Sequence, residues 1–257
     1  MRLQDRVAII TGSGGGIGLE YAKRFIREGA KVVVAEIDKT SGRVAARALG
    51  PDAEFVATDI AEEESTEAAA AFAQERFGSV DILVNNAALY GQLDNFDNSL
   101  GYLRQVFDIN LHGQWLMARA VSPAMAAQRW GRIINVASIA AYLHQIPAMM
   151  GGEFTELGSW AYAQSKWGVI GQTRLLAGQL GQSNVTVNCI APGLTMTDAT
   201  DAVVPTEVQP MFEAMSAMRT NVEPDQLTGA AVFFASEDAD LVNGQILCVD
   251  GGNVMPV

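Results

Sequence analysis

The chain has 257 residues, 49% of them hydrophobic, and a formal net charge of −12. That apolar share can bury a large core, which excludes a disordered chain. The excess of negative charge excludes a surface built for nucleic acid or an anionic membrane, because phosphates are repelled.

The first predicted strand covers 6–10, and its apolar run VAII is too short for a signal peptide. Directly after it comes Thr11-Gly12-Ser13-Gly14-Gly15-Gly16-Ile17-Gly18, then a helical pattern over 18–28. Glycines allow a sharp turn and close backbone approach to a pyrophosphate, whose charge a helix N-terminus favours. A glycine cluster alone also fits an ordinary flexible turn; its place between first strand and first helix points to dinucleotide binding. The order departs from G-x-G-x-x-G, since Ile17 stands where the third glycine falls if Gly12 is the first.

The second strand, 31–35, leads into Glu36, twenty positions after Gly16. A carboxylate there accepts both hydrogen bonds from the adenosine ribose hydroxyls. It repels a 2′-phosphate by roughly 4 kcal/mol per unit-charge pair at about 4 Å and an effective dielectric near ~20. That outweighs the roughly 1 kcal/mol net of a compensating hydrogen bond. No Arg or Lys occupies 13–17 or the neighbouring Ile37 to attract such a phosphate. The expected cofactor is therefore NAD(H); a solvated strand-end carboxylate is the plainer alternative.

Further strands are predicted at 54–58, 82–85, 132–137, 185–190 and 246–249, with helical patterns over 64–77, 100–128 and 161–180. Asn110, in FDINLHG, is polar among apolar neighbours, which a helix-interior hydrogen bond also explains. Ser138 follows the strand RIINVA and by itself reads as a local backbone cap. Tyr162-Ala163-Gln164-Ser165-Lys166 opens its helix with the phenol and the ammonium one turn apart on one face. Alone, such a pair is usually surface decoration. A free phenol titrates near ~10; a nearby ammonium and the positive ring of an oxidised nicotinamide are expected to lower that value. Tyr162 then serves as general base toward an alcohol or general acid toward a ketone.

Cys189 and Cys248 each sit in an apolar stretch and read as reduced core thiols of a cytoplasmic protein. No run approaches the length of a membrane span, and no metal site is expected. Strand–helix alternation throughout gives the expected fold class: α/β, a single-domain doubly wound Rossmann fold over 1–257, with a seven-stranded parallel sheet flanked by helices. The longest irregular pieces, 140–159 and 194–221, are expected beyond the carboxyl ends of the strands, where ligands sit in such sheets.

On these motifs the chain resembles the short-chain dehydrogenase/reductase (SDR) family over essentially its whole length. The matching pieces are TGSGGGIG at 11–18, Asp59, NNAA at 85–88, Asn110, Ser138, YAQSK at 162–166, IAPG at 190–193 and VDGG at 249–252. The resemblance implies that Asn110, Ser138, Tyr162 and Lys166 form a catalytic tetrad. In it, the lysine also binds the nicotinamide ribose and the asparagine holds a water that continues the proton path. The family's glycine spacing accounts for Gly12, Gly16 and Gly18, which with Ser13, Gly14 and Ile17 make the expected phosphate turn, Glu36 and Ile37 standing at the ribose. The resemblance implies that Asp59 and Ile60 lie near adenine, Asn86, Ala87 and Ala88 flank the cofactor, and Pro192, Gly193, Thr195 and Thr197 meet its nicotinamide end. It also implies a homotetramer built on 100–128 and 161–180. NNAA replaces the more usual NNAG, adding a methyl at Ala88. Ser138 and Tyr162 stand 24 positions apart, a longer interval than is usual in the family.

That inserted stretch carries Met149, Met150, Phe154 and Trp160, and the later loop adds Met196, Met211, Phe212, Met215 and Met218. Methionines adapt to irregular apolar shapes, so a bulky cyclic or aromatic alcohol or ketone is the expected small-molecule substrate. Tyr90, Tyr142, His144, Trp160 and Met196 are its candidate contacts. Packing of the loops onto the body or a second subunit explains the same residues equally well. Glu153 and Glu156 disfavour an acidic carrier or CoA thioester. A 3-oxoacyl thioester or sugar-ketone reductase is thus the alternative enzyme, and a silent NAD-binding protein the alternative outside catalysis.

Overall fold

The computed structural model describes residues 1–90, 97–144 and 158–256. Seven strands form one parallel sheet: β1 (Val7–Thr11), β2 (Lys31–Glu36), β3 (Ala53–Ala57), β4 (Ile82–Asn85), β5 (Gly131–Val136), β6 (Val185–Pro192) and β7 (Ile246–Val249), in the order β3-β2-β1-β4-β5-β6-β7. β1, β4, β5 and β6 are buried at every position. Helices cover both faces, so both faces of these strands are buried, including polar residues such as Asn85, Asn135, Thr186 and Asn188. The order reverses direction between β1 and β4, which pair from Ala8↔Ile82 to Ile10↔Val84. At that reversal the carboxyl ends splay and leave a crevice.

The helices are α1 (Gly16–Arg27), α2 (Lys39–Leu49), α3 (Glu63–Phe77), α4 (Leu100–Phe107), α5 (Gly113–Gln128), α6 (Ala161–Leu180), α7 (Asp198–Val203), α8 (Gln209–Met215) and α9 (Thr228–Ala235). α1 buries Gly18, Tyr21, Ala22 and Phe25, and α3 buries Thr66, Ala69, Ala70 and Ala73, the one-face spacing of a helix on a sheet. One core cluster joins α1 and α9 to one face, and a second joins α3, α5 and the far end of α6 to the other.

Three differences from the sequence reading have physical causes. The pattern 100–128 is interrupted by a π-helical turn, Asp108–His112, which carries Asn110. Apolar spacing hardly registers one extra residue per turn, although such turns are frequent at functional sites. The stretch 194–221, expected as irregular, contains α7 and α8, too short for periodicity to reveal. α2 starts at an Asp38 cap accepting from Ser41 N at 2.6 Å, a signal the apolar pattern lacks.

Candidate active site

A cleft of about 670 Å³ opens at the carboxyl ends of the strands. Its floor is the glycine turn. A Cβ on Gly12, which has φ +62°, would lie 2.8 Å from the Ala87 Cα, and one on Gly18 would lie 2.3 Å from the Gly12 carbonyl oxygen. Both positions therefore require glycine. Gly15 caps α1 with no side-chain bond, and a Cβ there would meet open space. The first amides of α1 are left facing the cleft, with no acidic residue in the first turn to oppose an anion. Gly12, Gly16 and Ile17 line the cleft. Ser13 does not: it is fully buried, with Oγ donating to the Ile10 carbonyl at 2.7 Å. Gly14 and Gly18 shape the turn from behind.

Glu36 stands at the end of β2 on the cleft wall. Its Oε2 accepts from Gly14 N at 3.0 Å, and its Oε1 from Ile37 N at 2.9 Å and Asp38 N at 3.2 Å. Three backbone amides thus hold the carboxylate against the turn. Ile37, Asp59 and Ile60 continue the same wall. Asn86 clamps the turn to β4, its Nδ2 donating to the Thr11 and Gly12 carbonyls at 3.0 and 3.1 Å. Asn86, Ala87 and Ala88 face the cleft, and Pro192, Gly193, Thr195 and Thr197 line its far end.

Ser138, Tyr162 and Lys166 converge on that far end. Ser138 follows β5 and starts a short 3₁₀ turn, its Oγ accepting from Ala140 N at 3.1 Å, so the local cap is real. The same hydroxyl hydrogen-bonds the Tyr162 phenol. Trp160, at φ +44°, turns the chain into α6 and sets Tyr162 in its first turn. Lys166 is 1% exposed, with Nζ donating to the Val136 carbonyl at 2.9 Å and lying 5.4 Å from the Tyr162 ring centroid. Burial pushes the Tyr162 phenol up to about 12, against the pull of the Ser138 hydrogen bond. Burial also takes the Lys166 ammonium down to about 8. The expected lowering of the phenol is therefore not supplied by this chain's own groups. Desolvation penalises the phenolate, and the ammonium is aimed at a carbonyl.

Asn110 stands behind the cleft. Its Oδ1 accepts from Leu89 N at 2.7 Å, and its Nδ2 donates to the Leu89 carbonyl at 3.0 Å and to Ser165 Oγ at 3.2 Å. Ser165 Oγ in turn donates to the Tyr162 carbonyl at 2.7 Å. The side chain ties the loop after β4 to the turn that carries Tyr162.

Of the candidate substrate contacts, Tyr90 lines the cleft, its ring 5.2 Å from that of Tyr162. Tyr142 packs edge-on against Trp167 at 5.2 Å, and His144 is exposed beside the Tyr142 carbonyl. Met196 bonds through its backbone to Val222, and Trp160 caps its helix. None of these four lines the cleft. Leu89, Leu143, Leu194 and Phe212 do. Leu89 and Leu194 directly follow the NNAA and IAPG motifs, a position that could have marked them. Met149, Met150, Glu153, Phe154 and Glu156 lie outside the described residues.

These residues fit a dinucleotide. The uncapped α1 amides meet a pyrophosphate, the glycines leave room for it, and a fixed carboxylate stands one nucleoside away. A family model described as enoyl-(acyl carrier protein) reductase matches residues 12–253. Galactitol 2-dehydrogenase of Agrobacterium fabrum (strain C58) is 37% identical over 99% of this chain and 100% of its own. The 7alpha-hydroxysteroid dehydrogenase of Escherichia coli (strain K12) is 35% identical over 99% of this chain and 96% of its own. The crystal structure of levodione reductase superposes with a TM-score of 0.86 at 28% identity, covering 98% of each chain.

Proposed function

The chain belongs to the short-chain dehydrogenase/reductase family, and from that premise we propose that it is an NAD(H)-dependent oxidoreductase interconverting a secondary alcohol and a ketone with an apolar cyclic or aromatic body. One observation carries the reading: Ser138, Tyr162 and Lys166 meet at one end of the cleft whose other end holds Glu36. The names of the galactitol and hydroxysteroid relatives support chemistry on a hydroxyl-bearing carbon. The apolar wall of Leu89, Tyr90, Leu143 and Phe212 supports a ring or hydrocarbon face over a polyol.

The turn Gly12–Gly18 and the α1 amides would hold the pyrophosphate, Glu36 the adenosine ribose, and Lys166 with Thr195 and Thr197 the nicotinamide end. Bound there, the cofactor supplies the hydride acceptor or donor. Ser138 orients the substrate oxygen beside Tyr162. In oxidation the phenolate takes the hydroxyl proton as the carbinol C–H is lost; in reduction the phenol returns a proton to the oxygen. The Lys166 ammonium, 5.4 Å from the Tyr162 ring centroid, offsets part of the burial cost of the phenolate, and the positive ring of the oxidised cofactor would supply the rest.

The reading extends to one catalytic domain over 1–257 in a cytoplasmic homotetramer. Among the described residues no helix is long and apolar enough to cross a membrane. A second reading, a 3-oxoacyl thioester or sugar-ketone reductase, draws on the family description and on the polyol relative. Initial rates with NAD⁺ and NADP⁺ over alcohols graded in bulk, ring content and charge separate the two. NAD⁺-dependent turnover that rises with apolar bulk supports the first. A requirement for NADP⁺, a charged tail or a polyol replaces it with the second.

A further inference from the structure

Gln114 is a fully buried polar side chain on α5, and its Nε2 donates to the Val136 carbonyl at 3.3 Å. The same carbonyl accepts from Lys166 Nζ at 2.9 Å. That partner fixes the amide's orientation, because the reversed amide would set two oxygens against each other. Gln114 Oε1 has no hydrogen-bond partner among the described residues. The amide is thus buried for the sake of one directed bond. Its backbone is anchored as well: Asn85 Nδ2 donates to the Gln114 carbonyl and to Asn135 Oδ1, both at 3.0 Å. Asn135 Nδ2 donates to Thr173 Oγ1 at 3.0 Å, on the helix that carries Lys166.

We propose that Gln114 is a positioning residue for Lys166: by sharing the Val136 carbonyl it fixes where the ammonium stands beside Tyr162 and limits the acceptor charge that the ammonium receives. A carbonyl oxygen has two lone pairs, and a donor already on one leaves less negative charge for a cation on the other. The titratable groups facing Lys166 are the Tyr162 phenol on its own helix and the Cys189 thiol from β6, with Cys248 on β7 next to Cys189. From α5 and the π turn no charge faces it: Arg119 pairs with Glu63 and Glu67, and Asp108 with His112, toward solvent. Burial already lowers the Lys166 ammonium, and the shared carbonyl acts in the same direction. The consequence for turnover rests on the dehydrogenase reading; the positioning itself does not.

The chain has four lysines, Lys23, Lys31, Lys39 and Lys166, so each is resolvable by NMR of protein carrying ¹³C-labelled lysine. Loss of one resonance in Lys166→Arg assigns the buried one. Gln114→Met keeps the length and removes the donor, and Gln114→Leu serves in its place if that variant does not fold. The Lys166 midpoint is expected to rise by ~0.5 pH unit in the variant, the shift set by losing one competing neutral hydrogen bond. The other three lysines stay where they are, and the alkaline limb of alcohol oxidation moves up with Lys166. A Lys166 midpoint unchanged to within about a tenth of a unit overturns the proposal, whatever the variant's activity. Absence of any alcohol turnover in the unaltered protein sinks the dehydrogenase reading and leaves the NMR titration to decide the role of Gln114.

Discussion

Tyr162 can accept a proton only as phenolate, and in this chain burial opposes that state. With the phenol pushed up to about 12 and the Lys166 ammonium brought down to about 8, Tyr162 holds its proton at neutral pH. Ketone reduction, which needs the phenol, is fastest near neutrality, while alcohol oxidation climbs from neutral pH as the phenolate forms and falls again once Lys166 loses its proton; initial rates in both directions across pH check this. Tyr162→Phe is expected to cost ~10²–10⁴-fold in turnover while NADH still binds, read by nucleotide fluorescence. Comparable activity in that variant removes Tyr162 from the chemistry. Glu36→Ser opens the ribose end to a 2′-phosphate. The ratio of kcat/KM for NADP⁺ over NAD⁺ should rise at least about tenfold, equivalent to ~1.4 kcal/mol. An unchanged ratio would reduce Glu36 to a brace for the glycine turn, through its bond to Gly14 N.

At the scale of elements, the site depends on how closely α1 can approach β1 and β4. Gly18 lies where a methyl would stand 2.3 Å from the Gly12 carbonyl oxygen, and 2.6 Å from Asn86 Nδ2. Gly18→Ala must push α1 off the turn. It is expected to destabilise by about 1–3 kcal/mol, lowering Tm by several degrees in calorimetry, and to weaken nucleotide binding. Gly15→Ala, with open space at its Cβ, should change Tm far less. The glycine turn, the strand ends and the Tyr–Lys spacing were legible because each is a local pattern in consecutive residues. The π turn at Asn110 and the short helices α7 and α8 were not, because each spans too few residues to impress a period on the sequence. Four of the five candidate substrate contacts fall outside the cleft for a related reason. Tyr142 and Met196 have the right chemistry, but side-chain direction depends on neighbours distant in sequence, and those turned Tyr142 onto Trp167.

At the scale of the whole molecule, α5 and α6 each present bulky apolar groups to solvent: Trp115 is 42% exposed, Trp167 51% and Leu175 77%. These are the helices expected to join subunits. Sedimentation equilibrium should give the mass of four chains, and Leu175→Asp should lower it; a monomer at all concentrations would exclude the tetramer. The parallel sheet, its flanking helices and the family were determined by the sequence alone, because apolar periodicity and glycine chemistry act within a few residues. Which side chains share the cleft was decided only by the tertiary structure. Ser138 after β5, Tyr162 from α6 and Glu36 from β2 reach one cleft through crossovers, whose packing no single stretch of sequence encodes. The same packing sets the proton affinities, burying a phenol and an ammonium together so that desolvation, rather than their spacing along the helix, governs how each holds its proton.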